Sequence, residues 1–251
     1  MIFKRAVARL RAQDWMAIGI EIGIVIIGVF IGTQVSNLNN ARIEQAKTQQ
    51  MARDLQPELR NLARDLRIMI AYYATARRYG DTAFAGWRDD PRVSDRDFVI
   101  AAYQSSQNVL TGVNNASWSQ IFGSDRLRDL QNQRLRESLS ALMTTDLAGF
   151  ERDLSTEYRR DVRMAIPEDI QDAIRAHCGD RRTGLATIAL PPTCTLDLPE
   201  ARFTAAAQAL RANPKLVGEL RYHFAVVASY VETIRFLHDL THSALQQITR
   251  A

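Results

Sequence analysis

The sequence predicts an all-α protein: one N-terminal transmembrane helix followed by a helical bundle outside the membrane. Three observations predict it. Residues 15–36 contain one ionisable side chain, Glu21, in an otherwise apolar and uncharged run. Downstream, leucines and aromatics recur at steps of three and four, the period of a helix with one buried face. No convincing stretch alternates apolar and polar residues with the period of two that marks a strand.

The chain has 251 residues, of which 46% are hydrophobic and 24% charged, as in ordinary folded proteins rather than disordered ones. A net charge of +4 is small for a nucleic-acid binder, and no basic motif carries interleaved aromatics, so no nucleic-acid partner is expected.

The first fourteen residues, MIFKRAVARLRAQD, set Lys4, Arg5, Arg9 and Arg11 against Asp14 alone. Basic flanks stay on the cytoplasmic side, so residues 1–14 are read as a cytoplasmic tail. On a helical wheel Ile2, Phe3, Ala6, Val7 and Leu10 share one side and the four cations take the other. That pattern suits a helix lying on an anionic membrane surface; it serves equally as a topology signal.

Residues 15–36 are the predicted span. About 21 apolar residues make a helix of roughly 30 Å, the thickness of the hydrocarbon core. A cleaved signal peptide would have a shorter apolar region followed by an A-x-A-like site, whereas the flank here reads TQVSNLNNARIEQA. The expectation is therefore an uncleaved anchor in a bacterial inner membrane, with the N-terminus cytoplasmic and residues 37–251 periplasmic. Within the span, Glu21, Val25, Gly28 and Gly32 fall on one face, and Gly19 and Gly23 on the opposite one. Both glycine pairs have the small-xxx-small spacing that lets a second helix approach closely. Intramembrane carboxylates usually face protein, so Glu21 is expected to meet a hydrogen-bond donor or cation on a partner span. The alternative is a protonated or snorkelling side chain among ordinary span glycines.

The polar stretch after the span, SNLNNARIEQAKTQQMARDL, is poor in Gly and Pro and is expected to prolong the same helix. Leu55, Leu59, Leu62, Leu66, Met69 and Tyr73 then form a heptad seam, with Pro57 marking a kink or a fresh start. Residues 80–92, with Gly80, Gly86 and Pro91, read as a connection. Ser94 followed by Asp97 reads as a helix start. One long helix is expected from about Asp125 through Leu135, Leu139, Leu142, Leu147, Phe150, Leu154, Tyr158 and Val162. Pro167 should end it and open a short helix; Asp197 and Pro199 should start another. Asn213 and Pro214 should start the last, which runs through Leu216, Leu220, Phe224, Val227, Val231, Ile234 and Leu237.

The chain has two cysteines, Cys178 and Cys194, bracketing a loop-like stretch in the exterior part. An even count in an oxidising compartment predicts a disulfide across residues 178–194. His238 and His242 stand at i and i+4, a spacing that can hold a metal. No Glu occupies the HExxH position, and His223 lies about 22 Å away along the axis, so no metal or other cofactor is assigned. No nucleophile elbow, phosphate-binding loop or dinucleotide fingerprint is present, and no catalytic residue is assigned.

Two segments carry a family resemblance. QDWMAIGIEIGIVIIGVFIGTQVSNLNNAR resembles the N-terminal signature of a family of bacterial single-span membrane proteins catalogued as a domain of unknown function. SWSQIFGSDRLRDLQNQRLRESLSAL resembles that family's mid-chain stretch. Together they cover about a third of the chain. Leu38 departs from the family pattern, which has a tryptophan there, so an outer aromatic anchor is missing. The resemblance implies a short cytoplasmic tail, one span and a helical exterior domain, and it implies no activity. The function expected on these grounds is an interaction or accessory subunit, not an enzyme. Its partners would be the lipid bilayer and other membrane helices or a second copy. The alternative is a ligand-sensing bundle that signals through a partner, since a fourteen-residue tail carries no output domain.

Overall fold

The structure is a computed structural model that describes residues 15–109, 127, 128, 130, 132–145, 149, 152–182 and 188–250. The basic tail with Lys4, Arg5, Arg9 and Arg11, and the SWSQIFGS segment, lie outside the described residues. Eight helices and one two-residue hairpin are present among them. The chain divides into two compact units, Met1–Met51 and Ala52–Ala251, and the second is a helical bundle.

Helix α1 runs without a break from Trp15 to Asp54, so the apolar run and the polar stretch after it share one helix, as expected. No proline interrupts it, and its polar half is rich in Ala, Gln, Arg and Glu, all good helix formers. Helix α2, Gln56–Trp87, is a fresh start one residue later. Pro57 sits in its first turn, where the missing N–H would have had no intrahelical partner.

Three sequence expectations are corrected here. First, the seam on α2 follows a 3.6-residue period rather than strict heptads: Leu55, Leu59, Ala63, Leu66, Met69 and Tyr73 are buried, and Leu62 is only half-buried. Second, only residues 88–92 of the expected connection at 80–92 connect, because α2 continues to Trp87. Gly80 and Gly86 are close-approach positions. A Cβ at Gly80 would stand 2.1 Å from Phe224 Cε2, and one at Gly86 2.8 Å from Phe98 Cβ. Third, the long helix expected through residues 125–162 is broken. The structure has α4, Gln133–Thr144, and α5, Glu157–Ala165. Thr145 and Thr156 are extended at the ends of the break. Their hydroxyls, and that of Ser155, offer the backbone non-helical alternatives. Thr145 Oγ1 donates back to the Ala141 carbonyl at 2.8 Å.

The other starts fall where capping chemistry puts them. Ser94 caps α3, Asp95–Gln104, accepting from the Asp97 N–H at 3.0 Å. Pro167 precedes α6, Glu168–Cys178; Pro199 precedes α7, Glu200–Arg211; Asn213-Pro214 precedes α8, Lys215–Arg250. The hairpin, β1 at Arg181–Arg182 against β2 at Ile188–Ala189, is the one strand pair among the described residues. Two residues per strand are too few for a period-2 pattern to register.

The core forms where α8 packs along α2, with α3 on another side of α2 and α4 and α5 against α8. Tyr73 sits edge-on to both Tyr72 and Tyr230, with centroids 5.4 and 5.6 Å apart, and Trp87 meets Phe98 at 5.1 Å. Such edge-to-face pairs add to area burial. On α8 the buried line is Leu216, Leu220, Phe224, Val227, Tyr230, Ile234 and Leu237, with Val231 only half-buried.

The two glycine contacts make a direct prediction. Gly86→Ala should lower stability by about 1–2 kcal/mol, because overpacking outweighs the helix propensity gained over glycine. Phe98 Cβ can yield only if its backbone moves. Gly218→Ala, where a Cβ would meet nothing within 4 Å, should be neutral or stabilising. Thermal unfolding of the two variants side by side checks this; a Gly86 variant as stable as the parent would refute the close packing.

Candidate functional site

One helix near the N-terminus, Gly19–Gln50, is long and apolar enough to cross a membrane. None of its apolar window is buried. Ile20 is 58% exposed, Val25 64%, Phe30 61% and Ile31 55%, so the run is uncovered on every side rather than along one stripe. A water-soluble helix would turn most of that surface inward. Glu21 is exposed as well, and Gly19, Gly23, Gly28 and Gly32 have open space where a Cβ would stand. Both predicted packing faces are therefore open.

Cys178 and Cys194 lie 1.97 Å apart at sulfur, as a disulfide. The bond ties the end of α6 to the chain leading into α7, and side chains from two other helices hold the loop. Tyr72 donates to Asp180 at 2.8 Å and Tyr79 to the Pro191 carbonyl at 2.9 Å, both from α2. Gln104 of α3 donates to the Cys178 carbonyl at 2.7 Å. Burial pushes the Tyr72 hydroxyl well above its usual range, with the neighbouring Asp180 carboxylate adding to the effect. Burial likewise raises Asp180.

His238 and His242 face each other with Nε2 atoms 3.2 Å apart. No group of three His, Cys, Asp or Glu side chains that could hold a metal ion occurs among the described residues. Asp239 is the acid beside the pair, 3.5 Å from His238 Nδ1. His223 is different in kind: it is fully buried, Nδ1 hydrogen-bonds Thr156 Oγ1 at 2.8 Å, and Nε2 has no partner. Desolvation first, then the Arg159 charge, push its pKa down to about 4. His223 therefore stays neutral across ordinary pH and joins the α5 start to α8. Arg159 and Arg163 on α5 reach the end of α3, donating to the Ser106 carbonyl at 2.6 Å and to Gln107 Oε1 at 3.0 Å.

No family model matches the chain, and no curated protein or solved structure matches it.

The structure brings Cys178 and Cys194 together; Glu21 belongs to the first compact unit and His238 and His242 to the second. Sequence reasoning missed an ion chain at the α5 and α8 starts, Glu157, Arg160, Asp161, Lys215 and Glu219. A signal was present: Glu219 interrupts the apolar pattern of early α8, four residues before His223. Only the fold shows that α5 lies against it.

Proposed function

We propose that the chain is a single-span inner-membrane protein, with residues 1–14 cytoplasmic and residues 37–251 periplasmic. It acts as an interaction or accessory subunit rather than an enzyme. The observation that carries this reading is the α1 apolar run, exposed on every side and interrupted by Glu21 alone. Lipid covers such a surface, and a carboxylate within lipid is stabilised by a partner that donates to it. The basic tail supports the orientation through the positive-inside rule, and the disulfide supports an oxidising compartment for the bundle. The likeness to single-span membrane proteins seen in the GIE and GVFIG segments agrees with this topology.

Mild-detergent extraction followed by cross-linking mass spectrometry tests it. Cross-links from another span should cluster near Glu21 and Gly28, and Glu21→Leu should shrink the complex and lower the protein's level. Unchanged size and level in that variant would remove the packing role.

A further inference from the structure

The start of α5 and the first two turns of α8 border an open groove of about 510 Å³. Its lining includes Glu157, Pro214, Lys215, Gly218, Glu219 and Tyr222. An ion chain runs along one side. Arg160 pairs with Glu157, and also with Asp161 at 2.8 Å; Lys215 reaches Asp161 at 3.3 Å and Glu219 Oε1 at 2.5 Å. Three carboxylates face two cations, which leaves one negative charge in excess. It falls at the α8 end of the chain, where both Glu219 oxygens are buried without a hydrogen-bond partner and Oε2 lacks even the ion pair that Oε1 makes with Lys215. The Glu219 side chain is only 10% exposed. A desolvated carboxylate oxygen without a donor is costly, and a ligand that supplies the donor recovers that cost.

The remaining lining selects the kind of donor. Pro214, the Gly218 backbone and the Tyr222 ring form an apolar wall. Tyr222 is 66% exposed, one turn beyond Gly218, and presents an aromatic face of the sort that attracts cations. Among the described residues no three-ligand metal group forms, so the surroundings favour a cation with an apolar body over a bare metal ion. We propose that this groove binds a small organic cation, a primary ammonium group on an apolar body, with Glu219 as its acceptor and Tyr222 as its aromatic wall. Rotation about the broad terminal torsion of the glutamate turns its carboxylate to the ligand, while Lys215 keeps its contact with Asp161. The proposal rests on the helical domain alone and goes beyond the membrane-interaction reading, so either can fail without the other.

The test uses the full chain in a non-ionic detergent, titrated calorimetrically with 2-phenylethylamine and with its neutral counterpart 2-phenylethanol. The amine should bind saturably at one site, and the alcohol more weakly by roughly tenfold or more, the worth of a charged hydrogen bond. Glu219→Gln, which keeps shape and removes charge, should weaken the amine by a similar factor. Gly218→Leu should abolish binding without lowering the melting temperature, because its side chain enters open groove rather than core. Absence of saturable amine binding overturns the proposal. So does equal binding of amine and alcohol, or amine affinity unchanged in Glu219→Gln or Gly218→Leu.

Discussion

Replacing both Cys178 and Cys194 with serine should destabilise the helical bundle by about 3 kcal/mol, the chain-entropy value for a loop of this size. The two residues are 16 apart in sequence, and the bond constrains the unfolded chain more than it adds contacts to the folded one. The loop's other anchors persist in the variant: Tyr72 to Asp180, Tyr79 to Pro191 and Gln104 to the Cys178 carbonyl. The fold should therefore survive with a lower midpoint rather than collapse. For a domain of this length, 3 kcal/mol corresponds to a fall of about 6–12 °C in melting temperature. Circular dichroism melts of the full chain in detergent, with and without reductant, measure it directly. The serine variant and the reduced parent should melt together; a variant that melts with the oxidised parent would show that the side-chain anchors alone hold the loop.

Acid should weaken the same bundle through His223. Its folded pKa lies near 4, below the ordinary histidine value of 6.5. The unfolded chain therefore binds the extra proton first as pH falls. Stability from this group is fully present above pH 6.5 and is lost progressively down to about pH 4, for a total of about 3 kcal/mol. Burial against Thr156 and the nearby Arg159 charge both act in this direction. Asp180 acts in the opposite sense: burial raises its folded pKa, so its contribution is present at low pH and is lost as pH rises through that value. Because the two act in opposite senses, the histidine's share over its own range, from pH 6.5 down to about 4, is read from the difference between the parent and His223→Gln. Urea titrations at several pH values across that range should show midpoints that climb with pH. His223→Gln retains a polar partner for Thr156 and should flatten that climb; a slope unchanged in the variant would assign the acid sensitivity elsewhere.

Much of the fold was legible because its signals are local. Twenty-one apolar residues read as one helix whatever else the chain does, and α1 runs through them. Ser94, Pro167, Pro199 and Asn213-Pro214 mark helix starts because capping acts over three or four residues. The disulfide followed from an even cysteine count and the compartment implied by the span. The errors fell where a residue's meaning depends on a distant neighbour. Gly80 and Gly86 look like turn residues until Phe224 and Phe98 are seen packed against them. The break between α4 and α5 is marked locally by Thr144-Thr145 and Ser155-Thr156, yet the leucine spacing continued across it and outweighed that mark.

The amino-acid order settled where the long apolar helix lies, that the rest is helical and where most helices begin, because propensity, periodicity and capping are properties of neighbours in sequence. It also placed Glu21 in its apolar surroundings. The meeting of α5 and α8 could come only from the tertiary structure. That meeting buries His223 against Thr156, strings Glu157, Asp161 and Glu219 into one ion chain with Arg160 and Lys215, and leaves a carboxylate oxygen unpaired beside a groove. Glu157 and Glu219 stand far apart along the chain, and no local rule joins them. Desolvation and charge pairing depend on which surfaces the core drives together, and that is decided by packing.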